Sequence, residues 1–215
     1  MAHGHVLPFL STFLQHPREL GTFLPSSRHL EARLVRNAAV ETAATVVELG
    51  PGTGGTTQAL LRAMPEDSRL VAIEVCPKLT RVLREIDDPR LIVHQGGADE
   101  LHDVLDDLSI ESVDAVVSGI PFSTIPRTTA RLILRASRSR LKPGGRFVAY
   151  QWSRAVTRLA KEFFGTPTSE FELRNFPPLR VYRWTKSAIP ASGGTVLGIK
   201  GSASGRFKAT ETRRD

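Results

Sequence analysis

The sequence predicts an α/β fold: a mostly parallel sheet covered by helices on both faces. Three observations predict it. Short runs rich in β-branched residues alternate with helical patterns from Thr45 to Thr185, the order that a parallel sheet requires. The strand runs are continuously apolar at their centres, as expected for strands buried on both faces. A glycine-rich turn, Gly50-Pro-Gly-Thr-Gly54, joins the first strand to the helix after it. In open parallel sheets the first such turn is the usual ligand cradle.

Each element can be justified in order. Val6, Phe9, Leu10, Phe13 and Leu14 fall on one helical face. Pro8 is tolerated in the first turn of that helix and Pro17 ends or bends it. "GTFLPSS" is a turn into a second helix, from about Ser27 to Ala39, with Ser26 or Ser27 as N-cap. "TVVELG" is a strand, followed by a helix from about Thr56 to Met64. "RLVAIEV" is a strand, followed by a helix from Pro77 to Ile86. "RLIVHQGG" is a strand and "ELHDVLDDL" a short helix. "VDAVVSGIP" leads into a helix from about Arg127 to Leu141. "KPGG" is a turn before the strand "RFVAYQW", "VTRLAKEFFG" is helical, and "LRVYRWT" is the last strand. The expected organisation is N-terminal helices over 1–40, a central domain over 41–186 and a basic Ser/Gly-rich tail over 187–215 that buries little and is expected to be disordered.

Composition limits the function classes. At 215 residues and 40% hydrophobic content the chain can bury one real core. No run of 18 or more apolar residues is present, and the N-terminus lacks the pattern of a secretory signal. Cys76 is the only cysteine, which fits a reducing cytoplasm. The net charge is +7, of which residues 187–215 contribute five basic and two acidic side chains. Such a balance favours anionic partners, nucleic acid or an acidic membrane surface, without choosing between them. No metal-ligand cluster stands out.

The glycines Gly50, Gly52 and Gly54 suit a turn where a ligand approaches backbone closely. The spacing is G-x-G-x-G, unlike the dinucleotide G-x-G-x-x-G, and no Gly-Lys-Ser/Thr follows. Pro51 removes an amide donor that a phosphate cradle would use. Glu74 ends the next strand, twenty residues after Gly54. A carboxylate there accepts hydrogen bonds from both ribose hydroxyls of a nucleoside and repels a 2′-phosphate.

"VVELGPGTG" followed by "LVAIEV" resembles motifs I and II of the class I S-adenosylmethionine-dependent methyltransferases. The resemblance implies a Rossmann-like seven-stranded sheet with its last strand antiparallel, and S-adenosyl-L-methionine as cofactor. It implies that Glu48 supports the loop and the methionine end. Gly50, Pro51, Gly52, Thr53 and Gly54 would face the adenosyl group, and Glu74 and Val75 the ribose. The adenine end departs from the pattern: Gly97 stands where the family often has Asp, Ala98 keeps a backbone amide, and Asp99 follows. Asp99 either replaces the missing carboxylate or caps the helix that begins near Glu100.

Ser118, Gly119, Ile120, Pro121 and Phe122 occupy the fourth signature position, where the methyl group leaves. Ser118 departs from the Asn/Asp of nucleobase-methylating families. Phe122 either packs against an alkylated ammonium or simply fills the strand end. This Ser-Gly-Ile-Pro-Phe run, together with "FLQHPRELGTFLPSSRHL", "LKPGGRFVAYQW" and "NFPPLRVYRW", resembles the bacterial phospholipid N-methyltransferases, from about Phe9 to Trp184. The resemblance implies methylation of the amine headgroup of a phospholipid, phosphatidylethanolamine to its mono-, di- or trimethylated form. The protein would be cytoplasmic and peripheral on the inner face of the membrane. Ser27 of the Pro-Ser-Ser turn joins the cofactor-binding set. Phe23, Tyr150, Arg180 and Tyr182 join the substrate-binding set with Phe122. The N-terminal amphipathic face would lie on an anionic membrane surface, or else cap the core.

Arg180, Tyr182 and Trp184 share one strand face, so Arg180 and Tyr182 either bind the lipid phosphate or close the strand against a helix. Arg127, Arg131, Arg135 and Arg138 form one helical basic stripe, and Arg154, Arg158 and Lys161 another. Both read first as solvated faces. Tyr150, Tyr182 and the lipid phosphate are the visible candidates for handling the amine proton, whereas His94 reads as a strand residue. The same family is similar to ribosomal RNA adenine dimethyltransferases, so RNA adenine is the second acceptor reading. The short basic tail, in place of the helical C-terminal domain usual there, counts against it. Another aminolipid, a small amine, and a binding protein without turnover are the remaining readings.

Overall fold

The structure, a computed structural model, describes residues 26–187. The expected amphipathic face at Val6–Leu14, Phe23 and the tail beyond Ser187 lie outside the described residues. Seven strands form one sheet: β1 (Thr45–Leu49), β2 (Arg69–Glu74), β3 (Leu91–Gln95), β4 (Val113–Ser118), β5 (Leu141–Gln151), β6 (Thr168–Glu172) and β7 (Leu179–Thr185). Their spatial order is β3-β2-β1-β4-β5-β7-β6. The first five are parallel to their neighbours, and β7 runs antiparallel to both β5 and β6. The expected α/β sheet with an antiparallel last strand is therefore present.

The helices are α1 (Arg28–Ala38), α2 (Gly55–Ala63), α3 (Pro77–Arg84), α4 (Leu101–Asp107), α5 (Arg127–Arg140) and α6 (Ala155–Phe164). The Ser27 hydroxyl caps α1 by accepting from the Leu30 N–H at 3.2 Å. Leu30 and Leu34 lie one turn apart and are fully buried. They pack with Val46, Leu60, Leu70, Val148 and Val181 on one face of the sheet. The opposite face packs Val47, Leu49, Val116 and Phe147 against residues of α4, α5 and α6. There the Phe147 and Phe164 rings stack with centroids 5.1 Å apart, and Trp184 joins them at 5.5 Å from Phe147. Trp184 Nε1 donates to the Gly165 carbonyl at 3.1 Å, so the buried indole keeps its hydrogen bond.

Two elements differ from the sequence expectation. The Lys142-Pro-Gly-Gly145 run, expected as a turn, lies within β5. The β4–β5 register passes from Val113↔Leu141 to Ala115↔Arg146, so the extra residues bulge from one strand. Their backbone is used by the end of β7: Gly144 N–H donates to the Lys186 carbonyl, and Lys186 N–H donates to the Gly145 carbonyl. The second difference is β6, an edge strand absent from the sequence reading. Its run Thr-Ser-Glu-Phe-Glu is mostly exposed and carries little apolar signal.

Candidate active site

The cradle follows β1 at the carboxyl ends of the parallel strands. Gly50 has φ +69°, and a Cβ there would lie 3.2 Å from Ile120 Cγ1, so both its backbone conformation and its space exclude larger residues. Gly52 has φ +63° with nothing within 4 Å of a Cβ position, which leaves that side of the loop open. The loop is tied to the sheet by the Gly50 N–H donating to the Ile73 carbonyl at 3.0 Å. Pro51 is buried between these glycines and Thr53 is exposed.

Two carboxyl groups support it. Glu74 is 5% exposed; one oxygen accepts from the Gly52 N–H at 3.2 Å and the other from the Cys76 N–H at 2.9 Å. Burial raises its pKa, and these backbone donors, with Val75, pull it back down. Each oxygen keeps a lone pair for a further donor. Glu48 is fully buried. One oxygen accepts from Thr57 Oγ1 at 2.7 Å and the other has no partner. Burial pushes its pKa up to about 8, opposed by the Thr57 hydrogen bond and assisted by Glu74.

The Ser118–Phe122 run leaves β4 beside the cradle. Gly119 N–H donates to the Leu49 carbonyl at 2.9 Å. A Cβ on Gly119 would meet the Tyr150 hydroxyl at 2.5 Å and the Gly50 carbonyl oxygen at 2.8 Å. The missing side chain therefore lets β1, β4 and the Tyr150 hydroxyl of β5 converge. Burial raises the Tyr150 pKa, the Glu48 charge adds to this, and a hydrogen bond with Thr56 opposes it. At neutral pH the phenol stays protonated. Gln151 Nε2 donates to the Ile120 carbonyl at 2.5 Å and so fixes the middle of the run. The Ser118 hydroxyl is fully buried and accepts from the Ile120 N–H at 3.4 Å.

Residues 46–145 match the family described as "Methyltransferase domain". The chain is 34% identical over 179 residues to an ornithine lipid N-methyltransferase of Singulisphaera acidiphila, a match covering 81% of this chain and 92% of that protein. This protein is a class I S-adenosylmethionine-dependent methyltransferase. It resembles the lipid N-methyltransferases, and an N-methyl transfer is the activity it shares with them. The methyltransferase is also 30% identical to the ribosomal RNA small subunit methyltransferase A of Chlorobaculum parvum, but over 57% of this chain and only 42% of that protein. Among solved structures it shares its fold with the 1,6-didemethyltoxoflavin-N1-methyltransferase of Burkholderia thailandensis, which was crystallised with S-adenosylhomocysteine. The TM-score is 0.62 at 16% identity, covering 87% and 91% of the two chains.

The residues present fit S-adenosylmethionine. A glycine loop open at Gly52, a fixed Glu74 carboxylate with lone pairs to spare, and an unpartnered buried oxygen on Glu48 converge at one strand end. The bound cofactor supplies an electrophilic methyl group on a sulfonium. Everything else is positioning by the methyltransferase itself.

In the turn after β3, which the resemblance assigns to the adenine, Glu100 is the residue that the sequence reading missed. Its carboxylate accepts from the Gly97 N–H at 3.0 Å and lies 3.1 Å from His94 Nε2. A Cβ on Gly96 would collide with both side chains. Glu100, rather than Asp99, thus closes the turn at Ala98–Glu100, where Asp99 makes no capping hydrogen bond. The signal was present as a Gly-x-x-Glu box but was read only for its aspartate.

Several expected site residues occupy other roles. The Ser27 side chain is spent capping α1, and its N–H donates to Asn175 Oδ1 at 2.9 Å; Ser26, its neighbour, accepts from Thr56 Oγ1 at 3.4 Å. Phe122 is 2% exposed and packs in the core. Tyr182 is 3% exposed with an unpartnered hydroxyl, beside Trp184. It packs β7 against the helices. Arg180 lies over the Phe171 ring at 4.9 Å. In the basic stripes, Arg131 pairs with Glu162 and Arg138 donates to the Phe163 carbonyl at 3.1 Å, so these arginines fasten α5 to α6. Among the described residues no metal-binding group is found, and no helix is long and apolar enough to cross a membrane.

Proposed function

We propose that this methyltransferase acts on the amine headgroup of an aminolipid at an anionic membrane surface, with phosphatidylethanolamine and ornithine lipid as the two acceptors to compare. The observation that carries the reading is the 34% identity spanning 92% of an ornithine lipid N-methyltransferase. The run Ser118–Phe122, which lacks the Asn/Asp of nucleobase enzymes, supports it.

The chemistry asks the chain for alignment and a dry site. The amine must arrive with its lone pair free and in line with the methyl group. Orientation of this kind is worth several kcal/mol, up to about 7–11 kcal/mol in the best intramolecular cases. Gly119 allows the approach, Gln151 holds the Ile120 carbonyl in place, and Glu74 fixes the cradle. The N–C bond forms as the C–S bond breaks, its electron pair goes to sulfur, and the amine proton leaves to solvent or, in phosphatidylethanolamine, to the headgroup phosphate. Tyr150, held protonated, serves as a hydrogen-bond donor and not as the base.

The test uses purified protein, methyl-labelled S-adenosylmethionine and liposomes of phosphatidylglycerol with either phosphatidylethanolamine or ornithine lipid. Label in mono-, di- or trimethylated lipid, lost in Glu74→Ala, is the expected result. Cofactor binding without labelled lipid, together with label in ribosomal RNA, would replace this reading with the RNA one.

A further inference from the structure

The β6–β7 connection is built inside out. Two of its polar residues are buried: Glu172 is 2% and Asn175 6% exposed, while Arg174 stays at the surface. Its large apolar residues are outside: Leu173 is 70% and Phe176 80% exposed. The polar side chains are fully engaged. Glu172 accepts from Arg33 Nε at 3.0 Å and from the Arg174 N–H at 2.9 Å. Asn175 accepts from the Ser27 N–H at 2.9 Å and donates to the Pro177 carbonyl at 2.8 Å. These hydrogen bonds hold the loop with Leu173 and Phe176 facing outward, an arrangement that water disfavours and an apolar medium favours.

The loop is placed at the mouth of the site. Gln151 pairs in register with Arg180, so Trp152, which follows it, projects past the same end of the sheet as residues 173–179. Trp152 is 68% exposed. Gln151 itself holds the Ile120 carbonyl of the Ser118–Phe122 run, which puts Trp152 one residue from the active-site framework. Segments 151–154 and 173–180 contain Arg154, Arg174 and Arg180 and no acidic residue; Arg174 also pairs with Glu172, whose carboxylate is buried behind the loop. Apolar tips ringed by arginines, with an indole at the rim, match the boundary between acyl chains and anionic headgroups.

We infer that Trp152, Leu173 and Phe176 form a rigid docking edge that inserts into an anionic phospholipid bilayer and sets the active-site mouth against it. This rests on the lipid reading for its purpose. It is distinct from the N-terminal helical face, because it is made of strand ends and a loop tied down by Arg33 and Asn175.

The chain has two tryptophans, and the other, Trp184, is buried. Trp152 is therefore a built-in probe. The full-length protein is mixed with vesicles of phosphatidylcholine and phosphatidylglycerol, with and without brominated acyl chains. The expected result is a blue shift and quenching of emission, both abolished in Trp152→Phe. A Leu173→Ser/Phe176→Ser double variant, whose changes are exposed and leave the thermal melt unchanged, should partition about tenfold more weakly. Quenching that persists in Trp152→Phe, or unchanged partitioning of the double variant, overturns the inference. So does a Trp152 shift that follows protein concentration without vesicles, which would mark the edge as a protein interface. These vesicles carry no primary amine, so docking is read independently of methyl transfer. Docking with no methylated lipid would remove the aminolipid acceptor alone, and methylated lipid without docking would remove this edge alone.

Discussion

Gly119 is where the site is most tightly constrained. Alanine there would place a methyl group 2.5 Å from the Tyr150 hydroxyl and 2.8 Å from the Gly50 carbonyl oxygen. The carbonyl belongs to the cradle backbone, so the cradle must move. Gly119→Ala should lose roughly a hundredfold in kcat/KM and about 1–3 kcal/mol in stability, checked by initial rates and chemical denaturation. Glu48 gives a pH signature. Its folded pKa of about 8 exceeds the ordinary 4.5, so its neutral form favours the fold and its contribution is fully present below about pH 4.5. That contribution is lost as pH rises towards 8. The free enzyme should therefore lose a few kcal/mol of stability across this window, and Glu48→Gln should flatten the profile in pH-dependent melts. Glu74→Gln replaces a charged acceptor of two backbone donors and should weaken cofactor binding about tenfold to a hundredfold, as isothermal titration would show. The cradle and Glu74 were legible in the sequence because a strand, a glycine turn and the next strand's last residue are local features. The meeting of Gly119 with Tyr150, and of Gly97 with Glu100, was not. The first depends on strands far apart in sequence, and the second on a side chain turning back across its own turn.

Between elements, a clamp of ion pairs and hydrogen bonds fastens α1 to the β6–β7 hairpin. Arg33 pairs with both Glu170 and Glu172, and Asn37 donates to Glu170 at 3.1 Å. Burial alone would raise the Glu172 pKa, but the Arg174 N–H, its guanidinium and Arg33 outweigh it and hold the carboxyl at about 2. A lowered pKa gives stability that is present above the ordinary carboxylate range and is lost as pH falls from about 4.5 towards 2. Arg33→Ala should cost about 2–3 kcal/mol at neutral pH, because Glu172 keeps only Arg174. It should also blunt the acid limb of the stability profile in urea titrations at pH 3 and pH 7. The parallel strands and all six described helices could be read from β-branched runs and helical spacing. β6 could not: its residues alternate weakly and its acids serve α1, a partner more than a hundred positions earlier. The β5 bulge was legible as Lys-Pro-Gly-Gly but not as strand, since only its pairing with Lys186 makes it one.

At the scale of the whole molecule, charge and apolar edge should separate under salt. The chain carries +7, and screening shortens from about 10 Å at 0.1 M to about 3 Å at 1 M ionic strength. Sedimentation with phosphatidylglycerol vesicles should weaken steeply over that range. The fraction that stays bound should depend on the apolar edge of Trp152, Leu173 and Phe176. The reversed direction of β7 has a further result for handling the protein. Thr185 pairs with Arg146, just after the β5 bulge, so the described chain leaves the sheet at the end remote from the cradle, whereas Ser26 enters beside Thr56. An affinity handle or surface linker joined directly after Ser187 would hold the described domain with its reactive mouth facing outward. One joined directly before Ser26 would crowd it. Immobilised enzyme, single-molecule anchoring and fluorescent fusions should all be built from the β7 end.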